Sequence, residues 1–428
     1  MTIFLTVPEG ASLRDFLVLG VVDRLLDLLP EAQLVLLSPA YAAPEFLEIC
    51  PKERVQVRRM DVFTGVRHLE RLVIRRRRLS KRLAIRLSLA LEARLYRPPA
   101  ELLETFREFK PSLVVSTNPM PFHDYQVITT ARKLGIQTLG VVRSWDNLIK
   151  GLISRPHLLS VWNPVNRDEA LSLQGFNTDE VEINGASSFD PHYDSCWSMP
   201  REAFLESLGL DPSRPVITYA TGGVYDQQYL GRDETHLADD LLRMFADTSE
   251  LHGAQLIIRL HPTSRLEHFW RLRSRKDVVL SFASYMPTIG WYADRKDILH
   301  QVNLLKHSDV IVTPASSWAV ESAISDTPVV VPIYSDLQPD HARAQFDPTL
   351  VNHFRPLAEN NWVPICRSYE ETRREILDAL TRPGKYASGR KAIVDNYVYY
   401  RDANSSQRVV EWIAKNSRAA VKGVIRGV

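Results

Sequence analysis

Short apolar runs alternate with helix-like stretches along almost the whole chain, and the alternation begins twice. The runs "TIFLTV" (2–7), "QLVLLS" (33–38), "RVQVRRM" (54–60), "SLVVST" (112–117), "QTLGVV" (137–142), "LLSVW" (158–162) and "EVEING" (180–185) form a first series. An irregular stretch, 186–212, then carries Pro191, Pro200 and Pro212. After it come "RPVITYAT", "AQLIIRLHP", "KDVVLSF", "SDVIVTP", "TPVVVP" and "WVPIC". Continuous apolar strands separated by helices imply parallel sheets covered on both faces. The double start implies two such sheets, which suits a chain of 428 residues. The expected class is therefore α/β, with two Rossmann-like doubly wound domains over 1–195 and 213–390. An amphipathic helical end, 391–428, is long enough to return to the first domain.

Composition narrows the class further. No apolar run approaches the roughly 20 residues of a membrane span. The opening "MTIFLTVPEGASLRDF" has neither a basic segment nor a small-residue cleavage site, so it reads as a first strand. The three cysteines, Cys50, Cys196 and Cys366, are widely spaced and suggest neither a disulfide framework nor a metal site. A reduced, cytoplasmic setting is expected.

Charge is concentrated in one place. Residues 67–97 hold eleven basic residues and two glutamates, whereas the whole chain is only +2. Arg67, Arg71, Arg75, Arg78, Arg82 and Arg86 recur at helical spacing beside a leucine face. Such a basic amphipathic helix suits an anionic membrane surface, and equally a solvated outer face. It lacks the interleaved aromatic residues that stack on bases, which argues against nucleic acid.

In open α/β sheets, ligands bind beyond the carboxyl ends of the strands. Three strand ends of the second series carry suitable groups. "TPASSWAVES" (313–322) places Ser316 and Ser317 where a strand gives way to a helix, with Glu321 a little over one turn further on. Unpaired N–H groups and serine hydroxyls suit phosphate, and the carboxylate suits ribose hydroxyls. A plain capped helix would look the same. "YATGG" ends in Gly222 and Gly223, which let backbone approach a ligand or simply make a tight turn. "LIIRLHP" delivers Arg259 and His261, where a structural histidine is the competing reading. In the first series, "STNPMPFHDYQ" offers His123 and Asp124, and "RSWDN" offers Asp146 beside Arg143. His123 has a pKa suited to a general base. Arg143 would lower that of Asp146 and favour an orienting role.

These motifs, together with "RSWDNLIKG" (143–151), the segment Gly185 to Asp190 and the closing "DANSSQRVVEWI", resemble those of GT-B glycosyltransferases. The pattern is similar to that of CDP-glycerol glycerophosphotransferases and of surface-polysaccharide glycosyltransferases. The resemblance covers most of 112–412 and implies two domains facing a cleft, with donor on the second and acceptor on the first. It assigns Gly222, Gly223, Arg259, His261, Ser316, Ser317 and Glu321 to a UDP- or CDP-linked donor. A base is expected at the strand ends of the first series, from His123, Asp124 or Asp146, and the basic helix suits a glycan or lipid-linked acceptor at the inner face of the cytoplasmic membrane. No Asp-x-Asp motif is present, so no obligatory metal or other cofactor is expected. Non-hydrolysing epimerases share the Ser316–Glu321 junction, but "TGGVYDQQYLGRDE" has no histidine before His236. The expected function is sugar transfer from a nucleotide sugar. The alternatives are polyol-phosphate transfer from a CDP-linked donor, and glycan or partner binding without turnover.

Overall fold

The computed structural model describes residues 1–51, 53–61, 95–119, 124–152, 154–222, 235–261, 264, 266–334 and 353–423. The arginine stripe, Arg67 to Arg86, and also His123 and Gly223 lie outside the described residues. The chain divides into two compact units. One comprises 1–190, 285–294 and 399–428, and the other 191–284 and 295–398.

The first unit holds a seven-stranded sheet in the order β3-β2-β1-β4-β5-β6-β7. Its strands are β1 (Thr2–Thr6), β2 (Gln33–Ser38), β3 (Val55–Arg59), β4 (Leu113–Ser116), β5 (Gln137–Val141), β6 (Leu158–Val161) and β7 (Val181–Ile183). All the recorded pairings are parallel. The second unit holds a six-stranded parallel sheet in the order β10-β9-β8-β13-β14-β15. Its strands are β8 (Val216–Ala220), β9 (Gln255–Arg259), β10 (Val278–Ser281), β13 (Val310–Val312), β14 (Val329–Pro332) and β15 (Ile365–Cys366). Strand order reverses between β1 and β4 in one sheet, and between β8 and β13 in the other. A doubly wound sheet opens a crevice at such a point.

The helices that shape the sites are α1 (Val21–Leu28), α2 (Ala100–Phe109), α3 (Tyr125–Lys133), α4 (Pro164–Leu173), α5 (Arg295–His307), α6 (Trp318–Ile324) and α7 (Ser405–Val421). Alternation along β1 distributes the first core. Ile3 and Leu5 pack with Leu25 of α1 and with Val409, Val410 and Ile413 of α7. Phe4, pointing the other way, packs with Val114 and Phe106 of α2. The α7 helix is thus core material of the first unit. The second core gathers Ile217 and Tyr219 with Leu256, Ile258, Val310 and Val330.

Three boundaries differ from the sequence expectation. Residues 191–195, expected at the end of the first domain, belong to the second unit. Residues 391–398 stay with the second unit. Residues 285–294, expected inside the second domain, belong to the first. They form a separate two-stranded sheet, β11 (Ser284–Met286) and β12 (Gly290–Tyr292). It seats against the start of the chain: a Cβ on Gly10 would lie 1.6 Å from the Trp291 carbonyl oxygen. Only glycine permits that approach.

Two motifs 215 residues apart in sequence meet in the first unit. Asp190 accepts hydrogen bonds from the backbone N–H groups of Ser405 (2.9 Å) and Ser406 (2.7 Å). Its carboxylate thereby caps α7 from a distance, where helix N–H groups are otherwise unpaired. Gly185, at φ +84°, lets Ser405 approach to where a Cβ would meet its Oγ at 2.4 Å.

Candidate functional site: strand ends of the second unit

The second sheet positions its groups through strand register. Val312 of β13 lies beside Tyr219 of β8, so the loops after these strands leave side by side at the reversal point. On the β8 side, the Thr221 hydroxyl accepts from the His261 N–H (2.7 Å) and bonds the Ser264 hydroxyl (2.9 Å). Ser264 also donates to the Gly222 carbonyl at 3.2 Å. These contacts tie the ends of β8 and β9 into one rim. Gly222 is buried within it, while His261 is exposed.

On the β13 side, Thr313 and Ser316 hydroxyls bond each other at 2.9 Å. Ser316 Oγ accepts from the Trp318 N–H at 3.3 Å. Ser317 occupies the helix-cap position without a side-chain capping bond. Its hydroxyl donates instead to Glu321 Oε1 (3.1 Å), and Gln301 Nε2 donates to Glu321 Oε2 (2.7 Å). The α6 helix is only seven residues long, which limits how far a helix dipole can contribute. Hydroxyl and amide donors matter correspondingly more here.

Arg259 differs from the sequence expectation. It is 6% exposed and forms a bidentate pair with Asp297, at 2.7 and 2.8 Å. Its Nη1 also donates to Ser281 Oγ at 3.1 Å, and Ser281 in turn bonds His300 Nε2 at 2.7 Å. The guanidinium is therefore committed beneath the rim rather than presented to an anion. Burial lowers the His300 pKa to about 4, keeping this imidazole neutral.

At the carboxyl edge of the first sheet, Asp124 is fully buried. Its Oδ2 accepts from Thr6 Oγ1 (2.5 Å), Ser116 Oγ (2.6 Å) and the Asn118 N–H (3.1 Å). These bonds join the ends of β1 and β4 at the reversal point. Burial raises its pKa to about 7, against the opposing pull of those bonds. Such a group orders the edge of the site, and a proton acceptor for a substrate hydroxyl must lie nearer solvent. Asn118 Nδ2 continues the network to Glu9 (3.0 Å), which pairs with Arg143 at 2.6 Å. Arg143, expected beside Asp146, thus has Glu9 as an ion partner.

Asp146 is buried in a loop that Asn147 closes by accepting from the Arg143 and Ser144 N–H groups. Its charge acts on a residue that sequence reasoning missed, Glu169 of α4. Asn166 holds Glu169 at 3.1 Å and the Trp145 carbonyl at 3.2 Å. Desolvation first, and then the charge of Asp146, raise the Glu169 pKa to about 7. A carboxyl poised there can take or give a proton near neutrality. Nothing in the sequence distinguishes Glu169 from a solvated helix glutamate.

Among the described residues, no group of three or more His, Cys, Asp or Glu is placed to hold a metal ion. Nor is any helix among them long and apolar enough to cross a membrane.

The two doubly wound sheets make a GT-B-type fold, which solved structures share. An S. aureus MnaA–UDP co-structure is 13% identical over 97% of this chain and 97% of its own, with TM-score 0.59. A variant of the wall teichoic acid polymerase TagF is 12% identical over 99% of this chain and 90% of its own, also at 0.59. A UDP-GlcNAc 2-epimerase from Neisseria meningitidis bound to UDP-GlcNAc is 12% identical over 97% and 100%, at 0.56. A comparison with curated proteins finds no match. Residues 171–415, more than half of the chain, match the family described as CDP-glycerol:poly(glycerophosphate) glycerophosphotransferase. The chain belongs to that family, and it is a transferase of nucleotide-linked glycosyl or polyol-phosphate groups.

Proposed function

We propose that the chain transfers a polyol phosphate from a CDP-linked donor to a hydroxyl of a cell-envelope polymer or lipid-linked acceptor. The carrying observation is the pair of adjacent strand ends, β8 with Thr221 and Gly222, and β13 with Ser316, Ser317 and Glu321. Membership of the glycerophosphotransferase family favours phosphorus over an anomeric carbon as the reaction centre. In this reading Gly222, Gly223, His261 and Ser316 face the diphosphate, and Ser317 does so through its backbone N–H, its hydroxyl being held by Glu321. Glu321 takes the ribose hydroxyls, and Arg259 holds the rim from below. The acceptor oxygen attacks the distal phosphorus, the phosphoanhydride bond breaks, and CMP departs. Hydroxyl and N–H donors offset the charge that builds on the leaving phosphate. The acceptor proton passes to Glu169, with His123 and Asp146 as the other candidates. No divalent ion is required in this scheme. The basic segment with Arg67, Arg71, Arg75, Arg78, Arg82 and Arg86 holds the enzyme on an anionic membrane at its cytoplasmic face.

The test is turnover of CDP-glycerol with EDTA present, alongside UDP-sugars, and melting curves with CDP, UDP, GDP, dTDP and CMP. A ligand at 100 times its Kd should stabilise by about 2.7 kcal/mol. CMP release from CDP-glycerol and a shift with cytidine nucleotides support the proposal. Turnover of a UDP-sugar alone replaces it with sugar transfer. Folded protein that binds none of these nucleotides overturns the donor site. Sedimentation with phosphatidylglycerol vesicles, lost when Arg75, Arg78 and Arg82 become Glu, checks the membrane contact.

A further inference from the structure

Arg143 follows β5, beside β4 and the reversal point of the first sheet. Asn147 Oδ1 anchors its backbone N–H at 3.0 Å, and Glu9, just after β1, pairs with its Nε at 2.6 Å. Among the described residues, however, the guanidinium donates no hydrogen bond, and its Nε is buried without a hydrogen-bond partner. The side chain is 29% exposed. Arg259 in the second unit is the opposite case, with both arms spent on Asp297. Two more polar atoms are orphaned in the same place: Asn118 Oδ1 and Asp124 Oδ1 are buried and have no hydrogen-bond partner. Asn118 Nδ2 bonds Glu9, and the Asn118 N–H bonds Asp124. The four residues therefore form one connected group at the ends of β1, β4 and β5. Buried polar atoms nearly always find a partner, and doubly wound sheets take ligands at such reversal points.

We propose that this group is a subsite for the acceptor, in which Arg143 grips a phosphate and Asn118 accepts from a neighbouring hydroxyl, so that Arg143 selects phosphate-bearing acceptors over neutral glycans. This rests on the reading of the chain as a transferase to an acceptor hydroxyl. A guanidinium is planar, and its paired Nη donors match two oxygens of a phosphate. Glu9 holds it from the Nε edge. Glu9 also balances its charge, so a lone anion gains little, and a ligand that brings an oxyanion and a hydroxyl together gains most. A hydroxyl beside the phosphate supplies the partner that Asn118 Oδ1 lacks. Burial lets Asp124 keep its proton up to about pH 7, which limits negative charge near the bound anion. A metal ion suits the group less well, because it would meet the Arg143 cation beside Glu9.

Ligand-detected NMR titration measures Kd for glycerol 3-phosphate, glycerol and inorganic phosphate on the full-length protein, with saturating CDP to fill the donor rim. The panel adds Arg143→Gln, Arg143→Lys and Asn118→Ala. The unaltered protein should bind glycerol 3-phosphate about ten-fold more tightly than either fragment, the scale of one charge-assisted hydrogen bond. Arg143→Gln should lose about ten-fold in that affinity and leave glycerol unchanged. Arg143→Lys keeps the charge without the fork, should lose part of the affinity, and serves if the glutamine variant misfolds. Asn118→Ala should cut the preference over inorganic phosphate to about two-fold. Every variant should bind CDP as the unaltered protein does. If both Arg143 variants bind glycerol 3-phosphate unchanged, or the folded unaltered protein does not bind it, the subsite is wrong, while CDP binding leaves the donor reading standing. If CDP does not bind, the donor reading falls, and the Arg143 variants still decide whether the subsite exists.

Discussion

Replacing Asp297 by alanine removes the partner of a buried cation, and the structure sets the expected cost. The side chains of Arg259 and Asp297 are 7% and 8% exposed, and two short hydrogen bonds join them. Breaking a buried pair from one side leaves an uncompensated charge and costs about 3–5 kcal/mol. A unit of this size shifts its melting temperature by about 2–4 °C per kcal/mol. The transition of the second unit should fall by roughly 6–20 °C. Calorimetric melting is the assay, because two units need not unfold as one. The double change Arg259→Met with Asp297→Leu removes both charges and refills the volume, so stability should return close to the original. Nucleotide affinity should return with it to within a few-fold, because Arg259 shapes the rim from below. A double variant that regains its stability but binds no nucleotide would refute this, and would return Arg259 to the phosphate. An Asp297→Ala protein that melts unchanged would show the pair to be far less buried in solution.

Three further outcomes follow from the first unit. Asp190→Ala strips α7 of its distant cap and should cost about 1–2 kcal/mol, read as earlier proteolysis of the C-terminal helix during gentle heating. Asp124, held near 7 in the folded chain against 3.8 for its ordinary value, keeps its proton through a window where the unfolded chain has lost it. Its contribution to stability is therefore full below about pH 4 and is lost as pH rises through 7. Asp124→Asn should flatten that part of the stability–pH curve, and an unaltered slope would count against it. Glu169→Gln should lower kcat by about 100-fold or more and remove an ionisation near pH 7 from the rate profile. Retention of that ionisation would move the base to another group.

Strand positions were legible because buried parallel strands need unbroken apolar runs, and few other segments here have them. The β11–β12 pair was not. Its strands are three residues each, and "SYMPTIGWY" shows no period long enough to read. The Ser316–Glu321 junction could be found from strand-to-helix chemistry alone. Gln301 and Glu169 could not, since each looks like an ordinary polar residue on an amphipathic helix. The motifs Gly185–Asp190 and "DANSSQ" marked a family resemblance, but their physical role is a clasp on α7, which one-dimensional spacing conceals.

The sequence by itself determined the two doubly wound sheets and the strand ends where ligand chemistry belongs. Those follow from local patterns: apolar runs, helix periodicity, glycine and hydroxyl placement at chain reversals. Tertiary structure decided which polar groups are spent holding the rim and which remain to face a ligand. Arg259 went to Asp297, Asp124 to donors from β1, β4 and the loop after β4, and Glu169 was raised by burial and the charge of Asp146. Charge pairing and desolvation depend on distances between residues far apart in the chain, and those exist only once the sheets have closed.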